Sequence, residues 1–238
     1  HFMNSSKITV IIPCFNEQAT IEMLIGNVFE SLNSLNRDYE VIVVDDCSTD
    51  DSPNILKQLI KSNKILLITH SINMGKGAGI KSGISRATGD IIIIQDADLE
   101  YSPTEYKNLL LPFSEADADV VYGSRFIGGA KYVRIHFFWH YAANKILTLF
   151  CNILTNLNLT DMETGYKLFR RELIANIDIE EKSFGVEPEI TIKLSKKKAK
   201  FYEVPISYKG RSYGEGKKIG LKDAFRALFC ILYYSIKS

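Results

Sequence analysis

The chain is poor in residues that staple a fold or ligate a soft metal. Its four cysteines, Cys14, Cys47, Cys151 and Cys230, lie far apart and match no zinc or redox spacing, so unpaired thiols in a reducing compartment are expected. His1-Phe2 ahead of Met3 reads as an added remnant with no signal peptide behind it. The longest apolar stretch, residues 137–157, would be about 30 Å long as a helix. His140, Asn144, Thr148, Asn152 and Asn156 interrupt it at every fourth position, which argues against a lipid span. Two nucleotide motifs are missing as well. Residues 75–82 approach a P-loop, but Ile80 stands where its second glycine is required. The first strand runs into Pro13-Cys-Phe-Asn-Glu17 instead of the glycines of a dinucleotide fingerprint. No nucleic-acid partner is expected.

What is present is a patterned chain of 238 residues, long enough for one substantial core and read as a single domain, 1–238. A net charge of +1 hides a split. Residues 1–120 carry 9 Lys and Arg against 17 Asp and Glu, and residues 121–238 carry 20 against 11. Such polarity suits a metal at one end and phosphates or an anionic membrane surface at the other. Apolar runs at Ile8–Ile12, Val41–Val44, Ile65–Thr69, Ile91–Ile94 and Val120–Tyr122 alternate with amphipathic segments over the first 123 residues. That alternation predicts an α/β fold with a mostly parallel, doubly wound sheet flanked by helices.

Ile91–Ile94 runs into Gln95-Asp-Ala-Asp-Leu-Glu100. Four β-branched residues suit a strand buried on both faces. Asp96 and Asp98, two residues apart at its end, can project together as hard oxygen ligands for Mg²⁺ or Mn²⁺, or else cap the turn and helix that start at Ser102-Pro103. The run Asn73-Met-Gly-Lys-Gly-Ala-Gly79 reads as a tight helix start whose glycines admit backbone N–H groups or a neighbouring chain, with Lys76 as a phosphate contact.

Beyond residue 123 the alternation stops. The helix at 137–157 is expected to pack on the sheet or to lie at a membrane interface, anchored by Phe137, Phe138, Trp139 and Tyr141. Phe201–Tyr208 reads as a late strand which Pro205 confines to an edge or bend. The basic, glycine-bearing loop 209–218 suits an anionic ligand that is clamped and released. Leu221–Ile236 is a last amphipathic helix with a docking or membrane-surface face.

Seven ordered motifs, Val10-Ile-Ile-Pro-Cys-Phe-Asn-Glu17, Val43-Val-Asp-Asp-Cys-Ser-Thr-Asp50, Asn73-Met-Gly-Lys-Gly77, Gln95-Asp-Ala-Asp98, Val121-Tyr-Gly-Ser-Arg125, Asp161-Met-Glu-Thr-Gly-Tyr-Lys167 and Glu203-Val-Pro-Ile-Ser-Tyr208, span nearly the whole chain. Together they resemble the family 2 inverting glycosyltransferases, in the branch of dolichyl-phosphate mannose synthase and bacterial polyprenyl-phosphate glycosyltransferases. The resemblance implies a glycosyltransferase-A type fold, with a nucleotide-sugar-binding half at 8–123 and an acceptor-binding half with amphipathic helices at 124–238. It also implies that Pro13, Phe15, Glu17, Asp46, Lys76 and Gln95 serve the nucleotide sugar, with Asp46 facing the base. Asp96 and Asp98, with Glu100 in some members, hold the divalent cation. Phe15 departs from a frequent tyrosine, and Cys47 stands where glycine is usual.

The implied activity is metal-dependent transfer of a sugar from a nucleoside-diphosphate sugar to a polyprenyl phosphate, dolichyl or undecaprenyl, at the cytoplasmic membrane face. A membrane partner protein is an implied companion. Arg125 and Arg134 are candidates for the acceptor phosphate, and Arg211, Lys217 and Lys218 for a loop that closes on the phosphates. A phosphate acceptor is already ionised and needs no base. A hydroxyl acceptor on a glycan or protein needs one, for which Asp161 or Glu163 is available, and Asn at 161 would keep the shape while deleting the basicity. A third reading is a non-catalytic subunit that binds a nucleotide sugar.

Overall fold

The computed structural model describes residues 6–62, 65–130, 138–210 and 221–237. Strands β1 (Ile8–Cys14), β2 (Tyr39–Asp45), β3 (Ile65–Thr69), β4 (Ile91–Ile94), β5 (Val120–Ser124), β6 (Lys167–Arg170) and β7 (Phe201–Pro205) form one sheet in the order β3-β2-β1-β4-β6-β5-β7. All neighbouring pairs are parallel except those of β6, which runs antiparallel to both β4 and β5. The five expected strands are all present, and β7 is an edge strand ending at Pro205. The first strand, expected from sequence to stop at Pro13, continues through it to Cys14. Ile11 O bonds toward the β4 side, at Gln95, and Cys14 O toward β2, at Asp46. By that alternation the missing N–H of Pro13 faces the side where β4 has already ended, so no ladder bond is lost.

Helices α1 (Ile21–Ser34), α2 (Ser52–Ser62) and α4 (Tyr106–Glu115) cover one face. Helices α3 (Lys76–Arg86), α5 (Phe138–Thr155), α7 (Val186–Lys196) and α8 (Leu221–Ile236) cover the other, and the four-residue α6 (Arg171–Ile174) follows β6. The central strands are buried on both sides: Val10 and Ile12 pack toward α1, and Ile11 toward α3. This is why their sequence is continuously apolar rather than alternating.

Helix α5 packs inside out. On α5, Asn144, Leu147, Thr148 and Cys151 are buried, while Trp139, Ile146, Leu149, Phe150, Ile153 and Leu154 are exposed. The middle of the polar stripe faces the protein because Asn144, Thr148 and Asn152 find partners there, whereas Asn156, past the end of α5, is exposed. Asn144 Nδ2 donates to Asp161 (3.1 Å), Thr148 Oγ1 accepts from Met162 N (3.2 Å), and Asn152 exchanges bonds with the backbone of Leu159 (2.8 and 3.0 Å). On α8, which packs against α5, Phe225, Phe229, Leu232, Tyr233 and Ile236 are likewise exposed. Aromatic side chains present roughly 150–250 Å² each, so Trp139 at 79% exposure and Phe225 at 72% leave large apolar area uncovered on these two helices. Among the described residues no helix is long and apolar enough to cross a membrane.

Candidate active site

Parallel strands bring their C-terminal ends to one edge of the sheet, and the antiparallel β6 brings its N-terminal approach, residues 161–166, to the same edge. The site is built from these ends. Asp45 and Asp46 end β2, Gln95 and Asp96 follow β4, Arg125 follows β5, and Ile206–Tyr208 follow β7. Gly165 lies against Asp96: a Cβ there would sit 2.2 Å from Asp96 Oδ2, so only glycine lets the 161–166 loop close on that carboxylate. Tyr101, Tyr166 and Tyr208 pack beneath, with ring centroids 5.0 and 5.1 Å from Tyr101.

Asp96 Oδ1 receives the Lys76 ammonium at 2.8 Å, and Lys76 Nζ also meets Glu187 Oε1 at 3.0 Å. Burial opposes the lysine charge, but the two carboxylates outweigh it and hold the Lys76 pKa above its ordinary value. Asp98 Oδ1 accepts from Glu100 N (3.1 Å), and Glu100 Oε2 accepts from the Tyr208 hydroxyl (2.5 Å). No cluster of three or more metal-ligating side chains exists among the described residues. The donor set still fits a hard cation. Asp96 already carries a positive group, and Mg²⁺ is commonly held by one or two carboxylates with substrate phosphates and water filling the rest.

Arg125 and Asp161 form a closed pair. The guanidinium donates from Nε to Oδ2 and from Nη2 to Oδ1, both at 2.7 Å, and the Arg125 backbone N–H adds a third bond at 3.0 Å. The Asp161 side chain is fully buried and that of Arg125 is 12% exposed. Burial alone would raise the Asp161 pKa. The Arg125 charge, its hydrogen bonds and the Asn144 amide outweigh that and lower it. A carboxylate so held is a poor base, and Asn at 161 would orphan a buried arginine rather than merely delete basicity. Glu163 contrasts with it. Burial first, then the nearby Glu187 charge, pushes its pKa up, and its Oε1 is buried without a hydrogen-bond partner.

The remaining residues divide. Phe15 and Glu17 stand on the rim between β1 and α1, where Glu17 N bonds Ser52 Oγ at 3.0 Å. Asp46 does not face outward. Its carboxylate is buried and accepts from Met74 N (2.8 Å), Gly75 N (2.6 Å) and His70 (2.7 Å), so it shapes the glycine loop. Gln95 is likewise spent internally, donating to Asp96 O and Tyr101 O and accepting from the Tyr106 and Tyr166 hydroxyls. The Gln95 amide has its donors and its acceptor engaged, whereas among the described residues Asp46 Oδ2 accepts only the Gly75 N–H. Arg134, Arg211, Lys217, Lys218 and Phe137 lie outside the described residues. Cys47 adopts φ +62°, which explains why glycine suits that position. Glu187 was missed in sequence, although the acidic pair in Val186-Glu-Pro-Glu189 marks a helix start.

The model of glycosyl transferase family 2 matches residues 9–178. The chain belongs to glycosyl transferase family 2. Relatives of this family member include the dolichol-phosphate mannosyltransferase of Pyrococcus furiosus, 28% identical across 90% of this chain and 60% of that protein. Another is the undecaprenyl-phosphate 4-deoxy-4-formamido-L-arabinose transferase of Proteus mirabilis, 27% identical across 93% and 65%. The chain thus spans under two thirds of the length of these curated relatives. Among solved structures, Mycobacterium tuberculosis glucosyl-3-phosphoglycerate synthase superposes with a TM-score of 0.74 at 18% identity, covering 97% of this chain and 81% of that one. The same synthase in complex with Mn²⁺, UDP and phosphoglyceric acid superposes at 0.73 and 19% identity, covering 97% and 79%. The fold is of the glycosyltransferase-A type.

Proposed function

We propose that this family 2 member transfers one sugar, with inversion, from a nucleoside-diphosphate sugar to a polyprenyl phosphate at the inner membrane face, using Mg²⁺ or Mn²⁺. The observation that carries this reading is the Arg125–Asp161 pair. It offers a fixed cation and no available base, which is what an acceptor already ionised at neutral pH requires. Asp96 and Asp98 would hold the cation, which when bound supplies Lewis-acid stabilisation of the departing nucleotide. Phe15 provides a ring at the rim for the nucleoside, and Lys76 a positive charge beside the diphosphate. Arg125, oriented by Asp161, which Asn144 in turn holds, receives the acceptor phosphate, so catalysis rests on positioning and charge neutralisation. The outward apolar surface of α5 and α8 supports peripheral attachment at a bilayer or at a membrane partner protein.

A second reading rests on Glu163, whose unpartnered oxygen and raised pKa are features of a general base for a hydroxyl acceptor. The test incubates labelled nucleotide sugars with and without polyprenyl phosphate and extracts with organic solvent. Label should enter the organic phase only with the lipid phosphate and a divalent cation. Asp96→Asn should abolish the transfer and Glu163→Gln should keep most of it. Aqueous product on a hydroxyl acceptor, with a loss of roughly 10²–10⁴-fold in Glu163→Gln, would establish the second reading instead.

A further inference from the structure

Lys76 stands between two carboxylates of which the expected donor residues include only one. Glu187, in the first turn of α7, approaches the ammonium that Asp96 also holds. It is buried, and its Oε2 has no hydrogen-bond partner. The Lys76 ammonium therefore serves two acidic groups, and the buried Lys167 ammonium is a second positive charge that acts on Glu187 from β6.

The glycine loop exists to build this contact. A Cβ on Gly75 would lie 2.1 Å from Lys182 O, and one on Gly77 would lie 2.0 Å from Glu181 O. Gly75 also has φ +93°, and Gly77 N–H donates to Lys182 O at 2.9 Å. The segment leading into α7 thus lies directly on the start of α3, which brings Glu187 to Lys76. Of the two uses expected for these glycines, the loop shows the close approach of a neighbouring chain segment.

We propose that Glu187 is a positioning residue of the donor site: it gives Lys76 a second buried carboxylate, so the ammonium neutralises Asp96 without metal and withdraws to Glu187 when a divalent cation takes Asp96. This rests on the metal reading of Asp96 and Asp98. An ammonium and a divalent ion repel each other at one carboxylate, and displacing Lys76 is easy only where another anion receives it.

The test is Mn²⁺ binding to the full chain, read from the loss of the aqueous Mn²⁺ electron paramagnetic resonance signal, with and without UDP. Glu187→Gln should weaken binding by about tenfold, the scale of one lost charged hydrogen bond, because the displaced ammonium has no partner. Lys76→Met combined with Glu187→Gln removes the competitor together with its second partner, and in the absence of UDP, where the Lys76 charge has no diphosphate to meet, should bind Mn²⁺ at least as tightly as the unmodified chain. That double variant loses one charge of each sign, so it keeps the test decisive where Glu187→Gln alone fails to fold. Unchanged affinity in Glu187→Gln, or a double variant weaker than the unmodified chain without UDP, overturns the proposal. Asp96→Asn separates the two levels. If it leaves Mn²⁺ binding intact, the metal reading fails and the proposal with it; if it abolishes binding while Glu187→Gln changes nothing, only the proposal fails.

Discussion

Helices α1 and α5 are both amphipathic, yet they turn opposite faces to the protein. α1 buries Leu24, Ile25, Val28 and Leu32, whereas α5 buries Asn144, Thr148 and Cys151 and exposes most of its large apolar side chains. The difference is in what lies beneath. α1 meets an apolar sheet face, where only hydrophobic burial is available. α5 lies over the 159–162 loop, whose carboxylate and backbone groups need hydrogen-bond partners, and a buried polar group is tolerated once it is bonded. Periodicity reveals that a helix has two faces; the partner decides which one is inside.

The largest test of this contrast is the loop that α5 serves. Asp161→Asn should destabilise the fold by about 3–5 kcal/mol, because it leaves Arg125 buried and unpaired, read from denaturant midpoints. The pH dependence has a definite sign. The folded-state Asp161 pKa is depressed, so its contribution is complete above the unfolded aspartate pKa and is lost as pH falls through the lower folded value. Glu163 is raised instead, so its penalty grows as pH climbs from the ordinary glutamate range. Glu163→Gln should therefore gain stability relative to the parent as pH rises, and a gain independent of pH would contradict that assignment.

A matched pair of truncations comes next. Leu24→Ala on α1 should cost about 2–5 kcal/mol. Ile153→Ala on α5, at a site 65% exposed, should stay within about 0.5 kcal/mol in thermal unfolding. Equal costs would mean that the outer face of α5 is covered in solution. The sign of Asn144→Leu is sharper still. On a helix like α1, a buried Asn→Leu change would stabilise; here it should cost about 1–3 kcal/mol by stripping bonds from Asp161 and Thr148. The smallest effect concerns the turn after β2. Cys47→Gly should stabilise by about 1 kcal/mol, since a left-handed residue with a Cβ is strained at φ +62°.

Much of the first 123 residues was legible because its signals are local. Ile91–Ile94 is a central strand since four β-branched residues fit nothing else so well, and Asp96 lies at the sheet edge because it follows that strand. β6 was not legible. Lys167-Leu-Phe-Arg170 is short and carries a cation at each end, and only the gap between β4 and β5 makes it a strand. Asp46 and Gln95 were placed at the site by their motifs, which report where a residue stands in the chain. Where its oxygens point depends on Met74, Gly75 and His70 in one case and on Tyr106 and Tyr166 in the other.

The sequence by itself determined the alternation of strand and helix over the first 123 residues, the edge position of Pro205, the two-faced character of α5 and α8, and membership of the family, for these depend on spacing along the chain. The tertiary structure alone decided that the polar face of α5 turns inward, that Asp161 is clamped by Arg125 rather than poised as a base, and that Lys76 is shared between Asp96 and Glu187. Each of these depends on a charge or hydrogen-bonding group contributed by a distant segment, and at low dielectric such a partner outweighs any local preference.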